Sequence, residues 1–185
     1  MQFDKLGSHI LAAKLVVLAA LGVISPANAD LLYRSVTADA GTGAVAWTAA
    51  NFGVSGGAGV PGAGTLSFFR YANDNTARAQ MPAAQCFVRI DLVATHNAQP
   101  GATAPVGNDT IPVGALPADQ PRPFPWTVDF DNNPAGHWSI ARAQMTDRVS
   151  NAAASRVAAA GFQALATTAG SNVTVINGTL GNCTA

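Results

Sequence analysis

The chain has 185 residues, and its first 29 read as a removable signal, which leaves 156 for one folded domain with a core of its own. It contains no glutamate, both lysines (Lys5 and Lys14) fall in the leader, and beyond it eight Arg stand against nine Asp, a net charge of −1 with His neutral. So little charge leaves no electrostatic footprint for nucleic acid or an anionic membrane surface, and the missing Lys and Glu exclude Schiff-base lysines, Walker-type phosphate loops, HExxH metalloproteases and Glu-based glycoside hydrolysis.

Residues 1–14 form a weakly basic start, and Leu15 to Ile24 is an apolar run of ten. Ser25-Pro26 then breaks the helix, and Ala27-Asn28-Ala29 supplies the small residues a signal peptidase reads, so cleavage is expected after Ala29. A run of ten is about half of the roughly 20 residues that cross a bilayer, so no membrane span is expected after cleavage. The remaining residues, 30–185, read as a single exported domain, secreted, at the cell surface or periplasmic. Cys86 and Cys183 are the only cysteines, and in an oxidising compartment a lone pair reads as one disulfide.

Leu31 to Thr37 reads as a strand, and Ala44 to Val54, rich in Val, Trp, Thr and Phe, also reads as extended. Ser55 to Gly64 is a glycine-rich loop. Thr65 to Tyr71 is a third strand, ended by a polar turn at Asn73-Asp74-Asn75. Gln85 to Thr95 alternates most clearly. It sets Cys86, Val88, Ile90, Leu92 and Ala94 on a buried face, with Phe87, Arg89, Asp91 and Val93 opposite. Residues 97–125 carry seven prolines and no period, so they are expected as a long surface loop rather than a central strand or helix.

Trp126 to Phe130 alternates again. From about Ser139 to Thr168 the period lengthens, and Met145, Val149, Ala153, Val157, Ala160 and Ala164 predict an alanine-rich helical face widened by Phe162 and Leu165, with Gly170 as terminator. Val173 to Ile176, Asn177-Gly178 and Thr179-Leu180 read as a closing hairpin whose second arm brings Cys183 to Cys86. The fold class expected is α+β: mainly antiparallel β, sandwich-like or meander, of about six or seven strands, with one alanine-rich helix near the C-terminus.

Few residues carry chemistry. Asp129, Asp131 and Asn133 place oxygen donors at the first three positions of a calcium loop. Pro134 stands where an EF-hand needs glycine, however, and no acid follows at position twelve. His137 follows this turn and could act as a general base oriented by Asp129 or Asp131, although no serine lies in a GxSxG elbow. His96, the other histidine beyond the leader, has no ligand or catalytic partner at useful spacing. Trp47, Trp126 and Trp138 are read as core before platform, and Arg122 sits in a Pro-Arg-Pro core of polyproline type. N-glycosylation sequons begin at Asn108, Asn172, Asn177 and Asn182.

The expectation is therefore a non-enzymatic exported surface, matrix or binding protein for an extracellular or cell-surface ligand of unknown identity. Binding would use the 97–126 loop, the 129–138 turn, Trp126, Trp138 and Arg122. The alternative is a small exported hydrolase using Asp129, Asp131 and His137, with calcium holding the turn. Low charge and open strand edges also allow self-association.

Overall fold

The computed structural model describes residues 30–56, 64–92, 103–106, 126–145 and 150–185. The expected signal peptide, His96, Arg122 and most of the proline-rich segment lie outside them. Seven strands form one antiparallel sheet: β1 (Leu31–Val36), β2 (Thr65–Tyr71), β3 (Cys86–Asp91), β4 (Thr103–Val106), β5 (Trp126–Phe130), β6 (His137–Ala141) and β7 (Val173–Asn177). Their spatial order is β4-β5-β6-β2-β1-β3-β7, a half-barrel. Among the described residues three helices accompany it: α1 (Asp74–Gln80), α2 (Arg142–Met145) and α3 (Asn151–Thr167). The chain is α+β and mostly β, with a helix near the C-terminus, as the sequence patterning predicts.

Alternation decides which side chains enter the core. Cys86, Val88, Ile90 and Leu92 join Leu32, Val36, Leu66, Phe68, Val128, Phe130, Trp138 and Ile140 in one apolar cluster that packs on α3. Phe162 of α3 lies at its centre, with ring centroids 5.5 Å from Phe52, 5.4 Å from Phe68 and 5.5 Å from Trp126. Trp126 and Trp138 are 1 % and 0 % exposed and fill the interior, while half-buried Trp47 stacks on Phe52 at the core's margin.

The buried face of α3 keeps Ala153, Val157, Phe162 and Leu165 of the one expected and differs from it at other alanines. Ala154, Ala158, Gly161, Phe162 and Leu165 are buried, whereas Ala160 and Ala164 are only half-buried. Alanines occupy every side of this helix, so their spacing does not define a face; the large residues do. The helix also begins later, at Asn151, because residues 137–141 form β6. Thr146 and Asp147 fall outside the described residues.

The segment from Ala44 to Val54 is not a strand. The Asn51 side chain substitutes for a ladder. Its Oδ1 accepts from the amide and hydroxyl of Thr37, and its Nδ2 donates to the carbonyls of Thr37 and Ala46. Arg34 reinforces the loop by donating to the carbonyls of Asn51, Ser67 and Gly53; burial holds its guanidinium down at about 10. With these backbone groups satisfied, Phe52 and Val54 reach the core from an irregular segment.

Within the proline-rich stretch, residues 103–106 form β4 rather than loop. Among the described residues it is an edge strand paired with β5 alone, the position in which a strand tolerates Pro105. The closing hairpin is also absent. β7 pairs antiparallel with β3, and after Asn177-Gly178 the amides of Gly178 and Leu180 donate to the Gln85 carbonyl, and that of Thr179 to the Ala84 carbonyl. A type I′ turn needs positive φ at both central residues, which neither Asn177 nor Gly178 has. What the sequence requires of Gly178 is close approach, since a Cβ there would run into the Ala84 and Gln85 carbonyls. The tail still delivers Cys183 to Cys86, with Cα atoms 5.9 Å apart and the sulfurs bonded.

Candidate functional site

The face of the sheet turned away from α3 carries the polar chemistry. Register places His137, Phe69, Tyr33, Arg89 and Thr174 opposite one another on β6, β2, β1, β3 and β7, a cross-strand row running nearly the width of the sheet. Tyr33 and Phe87, on this face, are covered by Ala77 and Ala84 from α1 and its exit. Two polar clusters flank this apolar patch.

The first cluster belongs to β3 and α1. Asn73 caps α1, its Oδ1 accepting from the Thr76 amide, and this cap directs Asp74 back over the sheet. Arg89 donates to both Asp74 oxygens at 3.1 and 3.2 Å and to Asp91 at 2.6 and 2.9 Å. Partial burial works against the Arg89 charge, but the two carboxylates outweigh it and hold the guanidinium above its usual range. The Tyr33 hydroxyl donates to Asp74 at 2.8 Å; burial first, then this bond and the carboxylate charge, push its ionisation up. Arg78 donates to Asn75 and to the Asn177 carbonyl. Leu31, Asn73, Asp74, Asn75, Arg78 and Arg89 together line an open groove of about 320 Å³.

The second cluster lies at the β5–β6 turn. His137 Nδ1 is 2.5 Å from Asp131 Oδ1, and the Ser139 hydroxyl donates to Asp131 Oδ2 at 3.2 Å. The His137 ring packs edge-on to Phe69 and is only 8 % exposed. Asn132 adopts φ 52° and accepts the Gly136 amide, which folds the turn so that His137 faces Asp131. Asp129 sits on β5 opposite Ser139; burial, and secondarily the charge of Asp131, raise its carboxyl above the ordinary range.

The sequence reading linked His137 with Asp129 and Asp131, and the structure joins it to Asp131. Both Asp131 oxygens are engaged by His137 and Ser139, and the Asn133 amide also reaches Oδ1. Among the described residues, no group of three or more His, Cys, Asp or Glu is arranged to hold a metal ion. Of the first cluster, the sequence places Arg89 and Asp91 on one face, as found, and reads Asn73-Asp74-Asn75 as a polar turn, where the structure opens α1. Asn73 followed by Asp74 and Thr76 is a helix-opening signature that would have placed Asp74 and Arg78 on α1.

Comparison with known proteins finds no matching family model, no matching curated protein and no matching solved structure.

Proposed function

We propose that this chain is an exported, non-enzymatic binding protein that takes a neutral, hydroxyl-rich ligand, of the saccharide class, in the groove beside α1. One observation carries the reading: the groove lining is dense in donors and acceptors, and its one carboxylate, Asp74, is tied by Arg89 and the Tyr33 hydroxyl rather than left free to act as nucleophile or base. Asp74 and Asp91 balance Arg78 and Arg89, so the region favours neither anion nor cation. Carboxylate and amide oxygens keep lone pairs, and guanidinium groups keep N–H donors, that vicinal hydroxyls can bridge. Leu31 offers an apolar patch for a C–H face. Titration with neutral oligosaccharides, followed by NMR, should shift the Asn75 amide and the Arg78 and Arg89 Nε–H signals. The Asn75→Ala, Arg78→Ala double variant should lose those shifts while keeping its fold. Full retention of binding by that variant would refute the reading.

The Asp131–His137 contact supports a second reading, a small exported hydrolase. Asp131 fixes Nδ1 and leaves Nε2 as the basic nitrogen, the orientation used in hydrolytic triads. Against it, the Ser139 hydroxyl bonds to Asp131 rather than to His137, so the one hydroxyl held in the cluster is on the wrong side of the acid for activation by the imidazole. His137→Ala with esterase and peptidase activity unchanged removes this reading.

A further inference from the structure

Among the described residues the edge of β7 is open, and it carries an interaction surface that meets the groove only at Arg78. Asp91 N–H donates to the Asn172 carbonyl at 2.8 Å and Gly178 N–H to the Gln85 carbonyl at 3.1 Å, which sets the phase of the β3–β7 ladder. In that phase Thr174 and Ile176 bond to β3, while Val173, Val175 and Asn177 aim their amides and carbonyls away from the sheet. Two of these outward groups are already occupied: the Val173 amide donates to Ser171 Oγ at 3.1 Å, and the Asn177 carbonyl accepts Arg78 Nε at 2.9 Å. The Val173 carbonyl, both Val175 groups and the Asn177 amide have no partner among the described residues.

That pattern is self-complementary. In an antiparallel pair of β7 strands centred on Val175, the two Val175 residues exchange two bonds. The Val173 carbonyl of each copy then meets the Asn177 amide of the other. The groups that would otherwise face each other, the Val173 amide and the Asn177 carbonyl, are the two already capped in each copy. The strand, Val-Thr-Val-Ile-Asn, also lacks the Lys, Pro and bulges that blunt open edges, whereas β4 at the opposite edge carries Pro105. Val175 and Ile176 are half-buried and would lose further surface on pairing.

The geometry points to β7 as the seam of an isologous dimer, with a second copy of this chain continuing the sheet across a two-fold axis. Sedimentation equilibrium of the disulfide-bonded protein should show a reversible monomer–dimer transition between micromolar and millimolar concentration. Hydrogen exchange at the Val175 and Asn177 amides should slow as concentration rises, while exchange at Thr174 and Ile176 stays unchanged. Val175→Pro removes an outward N–H that β3 does not use, and Val175→Lys places a charge on the seam. Each should weaken dimerisation at least about tenfold while leaving the monomer folded by circular dichroism. A protein that stays monomeric throughout that range, or a dimer that neither variant weakens, overturns the assignment.

Discussion

Reduction of the Cys86–Cys183 bond tests the architecture most directly, because one bond joins the middle of the sheet to the end of the chain. The cysteines are 97 residues apart in sequence. Closing a loop of that length removes denatured-state entropy worth about 4.7 kcal/mol at 25 °C in the chain-entropy treatment. Set against a total stability of about 5–15 kcal/mol for an ordinary domain, that is at least about three-tenths of what holds the fold. For residues 30–185, which are 156 of the 185, an unfolding entropy of about 2.1 cal/mol/K per residue converts the loss to a fall in Tm of about 14 °C. Differential scanning calorimetry with and without reductant, alongside a Cys86→Ala, Cys183→Ala double variant, measures it. Ala is the right replacement at position 86, which is 0 % exposed and would bury a serine hydroxyl. The tail should loosen first. Val45 N–H donates to the Thr184 carbonyl and Thr184 N–H to that of Gly43, so both amides should lose exchange protection on reduction. A fall of less than about 3 °C in both the reduced protein and the double variant would refute the entropic reasoning.

Phe162→Ala should cost about 3–5 kcal/mol by urea denaturation, since its ring touches Phe52, Phe68 and Trp126 and the cavity cannot refill from an alanine-rich helix; a loss below about 1 kcal/mol would mean that the helix does not dock there. Gly178→Ala should destabilise by about 1–3 kcal/mol through collision with the Ala84 and Gln85 carbonyls, a cost that thermal melting would reveal; an unchanged Tm would contradict the close approach. For Asp129 the sign follows from its raised carboxyl: native stability from this group is full below its ordinary value of 3.8 and lost as pH rises through the higher folded value. Asp129→Asn should therefore raise Tm at pH 7 and give no advantage at pH 3, and equal Tm values at both would contradict the assigned burial. Adding calcium should leave Tm unchanged, because Asp131 spends both oxygens on His137 and Ser139; a rise would show that the ion displaces the imidazole.

What could be read from the sequence divides along a physical line. Wherever large apolar residues alternate with polar ones, as in Cys86–Asp91 and Trp126–Phe130, the strand and its buried face follow from the spacing alone. Where the ladder is replaced by side chains, the pattern misleads. Ala44 to Val54 has strand composition, but Asn51 and Arg34 satisfy its backbone through side-chain bonds, and nothing in the local spacing announces a long-range fork of that kind. The Asn177-Gly178 pair misleads for a different reason: glycine there serves close approach to a neighbouring carbonyl, and sequence does not separate that need from positive φ.

The polar face was legible only in halves. Alternation puts Arg89 and Asp91 on one side of β3, whereas His137 and Ser139 on β6 escape it because the stretch from Ser139 reads with a helical period. It says nothing about which rows align across strands that are far apart in sequence. Register supplies that, bringing Phe69 and Tyr33 between the two clusters, with α1 lying across the one built on Arg89. The consequence is mechanical as well as chemical. Asp74 reaches Arg89 only because Asn73 caps a helix that packs through Ala77 on Tyr33 and Phe87, so the groove exists as a product of that packing. Loss of the cap, as in Asn73→Ala, should cost about 1 kcal/mol of stability. Its larger signature should be local: the Arg89–Asp74 bond should break while Arg89–Asp91, held within β3, survives. Side-chain NMR of the Arg89 guanidinium separates the two partners, and an unchanged Asp74 contact in that variant would mean that the sheet, rather than the helix cap, positions the acid.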